Sequence, residues 1–234
     1  TMEGSADMPY AIPNLRAEVH NTKETVPSLW WRSVGHSGNG FVINSVIDEL
    51  ANLAGQDPYR YRRALLAGKP RHLAVLDKAA GAASWGKLLP KGHFHGIALQ
   101  ESFNSIVAQV AEVSVSGKQV RVHRVTCAID CGLAVNPDQV VAQMQSGIVY
   151  GLSAALTGEI TIEAGAAVQS NFDTYPVLRL AETPAIDVHI VDSDGPLGGV
   201  GEPGTPPIAP AVCNAIHAAT GQRIRRLPIS ASLA

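Results

Sequence analysis

Val107–Asp130 reads VAQVAEVSVSGKQVRVHRVTCAID. Apolar and polar residues alternate up to Ser116-Gly117 and then alternate again, which predicts a β-hairpin turning at that pair. In the second arm Val120 and Val122 fall on one face, and Val125, Cys127 and Ile129 on the other. That switch of parity near His123–Arg124 predicts a bulge, because one extra residue inverts which face the side chains take.

Working outward, the strand texture begins at Gly96. Upstream, Val42, Val46, Leu50 and Leu53 recur at helical spacing over Phe41–Ala54, and Gly55 is a stop signal. Asp57-Pro58 predicts an N-cap and first helical residue. Residues 67–92 read as a connection with a short helix around Leu73–Ala80, and residues 1–28 as loops and short extended pieces punctuated by Pro9, Pro13 and Pro27. Downstream, Asn136-Pro137 opens a helix that carries Gly147 and Gly151 one turn apart. Each glycine costs about 1 kcal/mol of helix propensity, so something packs very close there, either protein or a ligand. GEITIEAGAAVQSNF reads as a second hairpin, AIDVHIV as a strand, and Pro210 to about Thr220 as a last helix ended by Gly221. Strands and helices mix without a βαβ rhythm, so the expected class is α+β, with mixed sheets and packed helices. The expected division is residues 1–95, a segment of helices and a cofactor loop, and residues 96–234, a second domain.

The 234 residues are 46% apolar and 16% charged, with formal net charge −2. This suffices for a substantial core and argues against a nucleic-acid-binding face. No apolar run approaches the roughly 20 residues of a membrane span, and no signal-peptide pattern is present. The compartment, periplasmic or cytoplasmic, stays open. Three cysteines, an odd number, argue against a disulfide framework. Cys127 and Cys131 read as buried and reduced. The start at Thr1, without Met, reads as a processed fragment, a split-gene subunit or a piece of a larger subunit.

Four stretches carry polar residues suited to chemistry. GGVGEPGTPPIAPAVCNAI, Gly198–Ile216, sets a single carboxylate, Glu202, among glycines and prolines with no cation beside it in sequence. Buried, such a group suits a general base; exposed, it is a surface turn. SLWWRSVGHSGNGF, Ser28–Phe41, places Arg32 in a glycine-rich stretch before a helix, suited to an anionic group or simply an ordinary capped helix with a packed tryptophan pair. Gln100, Glu101 and Ser102 form one polar cluster, and Gln169, Asn171, Asp173 and Tyr175 another. The eight histidines show no paired metal spacing. Thr1 raises the alternative of an N-terminal threonine hydrolase, which requires a strand starting there.

Five stretches occur in this order: WWRSVGHSGNGFVINSVIDELANLAGQDPYRYRRALL, GIALQESFNSIVAQVAEV, VHRVTCAIDCGLAVNPDQVVAQMQSGIVYGLSAAL, QSNFDTYPVLR and GGVGEPGTPPIAPAVCNAIHAATGQRIRRLPI. Together they resemble the C-terminal part of the molybdopterin-binding subunit of the xanthine dehydrogenase/aldehyde oxidase family. The branch is similar to the isoquinoline 1-oxidoreductase β-subunit type, which includes bacterial aldehyde dehydrogenases. The resemblance spans nearly the whole chain, and the GEP-containing tail is its most specific motif. It implies that residues 96–234 are the molybdopterin-binding domain carrying the GEP loop and that Glu202 is the catalytic base. The reaction implied is oxidation of an aldehyde or an aromatic N-heterocycle with water-derived oxygen. Arg32 and Val34 would lie at the active centre. Gly35, Gln143, Gly147, Gln169, Ser170, Asn171, Gly199, Val200 and Gly201 would lie along the cofactor, a molybdenum-molybdopterin in the cytosine dinucleotide form. The metal would be held by the pterin dithiolene, with no protein ligand. Implied partners are a chain carrying the N-terminal half of the large subunit, a small [2Fe–2S] subunit, and cytochrome c or another electron acceptor. The family's apical glutamine and Gly-Phe-Gly loop are not found in this sequence, so the chain is expected to act only within a complex. A non-catalytic structural subunit of such a complex is the rival expectation.

Overall fold

The computed structural model describes residues 1–23, 26 and 29–233. The expectations at Pro27 and Ser28 therefore lie outside the described residues.

The quoted hairpin is the centre of the molecule. Strands β2 (Ser105–Ser116) and β3 (Gln119–Asp130) pair antiparallel around Gly117, whose φ of +56° suits a residue without Cβ. Glu112 pairs with Arg124 and Val113 with Val122, which leaves His123 as the extra residue of a bulge. The bulge restores the parity that a regular strand would lose. Val122, Val125, Cys127 and Ile129 all enter one core, with Val120 packed against it. Strand β1 (His93–Ser102) pairs antiparallel with β2, and β6 (Ala185–Ile190) runs parallel to β3, so the order is β1-β2-β3-β6. The second hairpin is the short pair β4 (Ile162–Glu163) and β5 (Ala166–Ala167).

Both faces of the sheet are covered, giving an α+β architecture with two apolar cores. Helices α4 (Pro137–Thr157) and α5 (Ile208–Thr220) pack on one face. On the other, α3 (Pro70–Ala82) contributes Val75, Leu76, Ala79 and Ala80 to a core with Ile97, Leu99, Ile106 and Val110. Gly96 lets α5 lie against β1, since a Cβ there would collide with the backbone of Ala211 and Ala215. Asp57 caps α2 (Pro58–Leu65) by accepting from the Arg60 N–H. Gly221 ends α5 in the left-handed conformation, at φ +76°.

Helix α1 (Val34–Leu53) departs from expectation twice. It begins seven residues earlier than the apolar spacing suggests, so Gly35, Gly38 and Gly40 are helical and not loop. Its expected core stripe, Val42, Val46, Leu50 and Leu53, is 38–79% exposed, while Ile43, Ile47 and Ala51 are buried. The reason is polar. Asn44 on the inner face accepts from the Leu99 N–H through its side chain at 2.9 Å, and its carbonyl accepts from Arg62 at 2.8 Å. Asp48 accepts from Arg223 at 3.0 Å. A buried polar group needs such partners, and these orient the helix. The expected short helix at Leu73–Ala80 is the longer α3, and the last helix begins at Ile208 rather than Pro210.

Candidate active site

The loop that carries Glu202 is tied down along its approach. After β6, the Val191 N–H donates to Ile129, Gly198 to Cys131 and Gly199 to Phe103, and the Ser105 hydroxyl donates to the Gly199 carbonyl at 2.7 Å. Asp130, at the end of β3, anchors the same run. Arg71 binds it with two hydrogen bonds of 2.8 Å, and Ser193 and the Gly132 N–H donate to it at 2.6 and 2.9 Å. Burial alone would raise the Asp130 pKa, but these donors outweigh it and hold it at about 2. Beyond Glu202 the backbone folds onto α4. A Cβ on Gly147 would lie 3.2 Å from the backbone of Gly204 and Thr205, and one on Gly151 would lie 2.7 Å from Ile208 Cγ2. The glycine pair is thus explained by the chain's own loop. In the direction of its absent Cβ, Gly147 faces the backbone of Gly204 and Thr205.

Arg32 and Glu202, 170 positions apart, meet at this loop. Arg32 Nε donates to the Gly201 carbonyl at 2.8 Å, joined there by Nη2. Its Nη1 reaches the Ser146 hydroxyl at 3.0 Å, and Nη2 the Gln143 side-chain carbonyl at 3.1 Å. The guanidinium lies 5.8 Å from the Tyr150 ring centroid, and Trp31 packs on that ring at 4.9 Å. All three Arg32 nitrogens bond protein acceptors, and Nη1 keeps one N–H beyond its bond to Ser146. Trp30 is 90% exposed, so the expected packed tryptophan pair does not form.

Glu202 itself is half-buried. Its carboxylate accepts from the Ser33 N–H at 3.3 Å, and its carbonyl accepts from the Ser33 hydroxyl at 2.6 Å. Ser33 and Val34 have φ of +73° and +46°, unusual for any residue with a Cβ and most of all for a β-branched one. Val34 lines a 450 Å³ cavity beside the loop, together with Trp31, Phe41, Tyr175, Thr205 and Leu227. Ser33, Ser146 and Tyr150 escape sequence reasoning. A serine before a helix reads as an N-cap, yet Ser33 makes no side-chain cap.

Other candidates lie elsewhere. The Gly35 N–H donates to the Glu3 carboxylate at 2.9 Å. Gln169 bonds Thr161, and Ser170 and Asn171 bond Thr174, all in an exposed loop with no bond to Arg32 or Glu202 among the described residues. Gln100 and Ser102 are buried at the end of β1, and Glu101 is paired with His72 at 2.9 Å. Thr1 starts no strand, so the hydrolase alternative lacks its scaffold.

The residues at the loop suit a polar, anionic cofactor. A Cβ on Gly201 would find its nearest neighbour, Gln143 Oε1, only at 4.0 Å, which leaves the loop backbone approachable. Among the described residues the N–H groups of Val200, Gly201 and Glu202 have no acceptor in the chain. Such a run of free backbone N–H groups is a donor set suited to anionic oxygens. Among the described residues no three His, Cys, Asp or Glu side chains gather to hold a metal. All three cysteines are buried and free, and burial pushes the Cys127 and Cys213 thiols up to about 12, which makes them poor ligands. No described helix is long and apolar enough to cross a membrane.

Residues 72–184 match the family described as a molybdopterin cofactor-binding domain. The chain is 35% identical over 230 residues to the β-subunit of isoquinoline 1-oxidoreductase from Brevundimonas diminuta, covering 96% of this chain and 29% of that one. It is 32% identical to a nicotinate dehydrogenase subunit of Pseudomonas putida, covering 95% and 20%. Among solved structures it shares the fold of the aldehyde oxidoreductase of Desulfovibrio desulfuricans, with a TM-score of 0.68 and 14% identity over 86% of this chain and 40% of that one. The chain thus spans between a fifth and a third of the length of these curated relatives. The cofactor-binding domain and the relatives along nearly its whole length show that the chain belongs to the molybdopterin-binding subunits of the xanthine dehydrogenase/aldehyde oxidase family.

Proposed function

We propose that this chain is the C-terminal catalytic piece of a molybdenum hydroxylase that oxidises an aldehyde or an aromatic N-heterocycle with oxygen derived from water. The observation that carries the proposal is the junction of Arg32–Ser33 with Gly201–Glu202. When bound, the molybdenum-molybdopterin cytosine dinucleotide supplies the two-electron oxidation. The chain's part is to hold it and to move a proton. The free N–H groups of Val200 and Gly201, the Gly199 that precedes them, held by Phe103 and Ser105, and the Gln143 amide, whose oxygen is already fixed by Arg32, contribute contacts to the cofactor. Gly35, Gly147, Gln169, Ser170 and Asn171 are proposed contacts at the cofactor's periphery. Glu202 takes a proton from the oxygen nucleophile as that oxygen attacks an electron-poor C–H carbon. Val34 and the aromatic walls of the adjoining cavity exclude water from the carbon being attacked.

The proposal places the first half of the large subunit, a small [2Fe–2S] subunit, and cytochrome c or another acceptor in one complex with this chain. The test is metal and cofactor analysis of that natively purified complex. About one molybdenum per copy, with a pterin dinucleotide and iron, supports the proposal. A complex without molybdenum from molybdate-supplied cells would leave a structural subunit in its place.

A further inference from the structure

We propose that Ser33 is a positioning residue for Glu202, a role that rests on Glu202 being the base. Consecutive side chains grip consecutive carbonyls: Arg32 donates to Gly201 and Ser33 to Glu202. The Ser33 hydroxyl bond is 2.6 Å, and Ser33 is fully buried. Its N–H also points at the Glu202 carboxylate, at 3.3 Å. One residue thus fixes both ends of Glu202, its main chain and its reactive oxygen. The Glu202 carbonyl accepts a second bond from the Thr205 N–H at 3.0 Å, so the tether and the turn leading to α5 share one atom. The backbone at Ser33 and Val34 is in the left-handed region, which brings the N–H and the hydroxyl of Ser33 to the same loop. Such strain persists only where surrounding contacts over-determine it, and the bonds to Gly201 and Glu202 supply those contacts. A serine that served only as a helix cap would donate nothing to a loop 169 positions away.

Ser33→Gly isolates the hydroxyl, because glycine adopts φ +73° more readily than serine and the fold is kept. The experiment compares wild type, Ser33→Gly and Glu202→Gln in the assembled, molybdenum-loaded complex. In Ser33→Gly, at equal molybdenum content, kcat falls about tenfold with KM within about twofold, the size expected for one lost hydrogen bond. Amide exchange at Thr205 in the 198–207 loop speeds up by a similar factor. Unchanged Thr205 exchange overturns the tether, and unchanged kcat overturns its part in the reaction. Wild-type kcat in Glu202→Gln instead removes the base itself, and Thr205 exchange in Ser33→Gly then decides the tether alone.

Discussion

Glu202 is half-buried and its carboxylate accepts from the Ser33 N–H, while the side chain of the preceding Arg32 is turned to the Gly201 carbonyl. This leaves the carboxylate oxygens available to a reacting proton. Glu202→Gln is expected to retain molybdenum and fold while turnover falls by roughly 10²–10⁴, the range of general-base catalysis; steady-state kinetics with metal analysis checks it. Arg32→Lys keeps the charge but loses the fork that bonds Gly201, Ser146 and Gln143 together. Its expected effect is a drop in kcat/KM of about 10- to 100-fold with partial loss of molybdenum. Both effects are legible from single residues, yet their cause is a meeting of distant segments.

At the level of elements, α4 and the Glu202 loop are fitted through two glycines. Gly151→Ala places a methyl against Ile208 Cγ2 and the Thr205 carbonyl, and is expected to destabilise by about 1–3 kcal/mol, as overpacking does. Gly38→Ala is the control: nothing lies within 4 Å of its Cβ position, and helix propensity alone favours alanine by roughly 0.5–1 kcal/mol. Thermal unfolding of both variants tests the pair. The Arg71–Asp130 anchor carries a pH signature. The Asp130 pKa is depressed to about 2, so its stabilisation is complete above its ordinary value of 3.8 and is lost as pH falls through about 2. Asp130→Asn is expected to lower Tm near neutrality by about 5 °C. The gap to wild type should narrow steadily below about pH 4, and unfolding followed between about pH 6 and pH 3 measures it.

At the scale of the whole molecule, α1 is apolar on two sides. Ile43 and Ile47 enter the core, and Val42, Val46 and Leu53 remain exposed. A helix hydrophobic all round is ordinarily buried, and relatives three to five times as long match this chain along nearly all of its length. Mass spectrometry of the native complex is expected to find the remaining part of the subunit, either as a companion chain or as a continuous longer polypeptide, with about one molybdenum per copy.

Local physics was enough for the hairpin, its bulge at His123, the capped start of α2 and the glycine stop of α5. Each depends on residues within a few positions of one another, where alternation, capping and φ preference act. The same holds for the singling out of Glu202 and Arg32, whose residue types are conspicuous among glycines and tryptophans. Tertiary structure alone decided which face of α1 is buried, because Asn44 and Asp48 find partners on β1, α2 and the chain beyond α5. It also decided what fills the space above Gly147, what Arg32 grips, and that Ser33 serves a loop rather than a helix. Most of these are contacts between segments separated by 50 or more positions. No local periodicity encodes them, since a hydrogen bond's partner is selected by the packed fold and not by its neighbours in sequence.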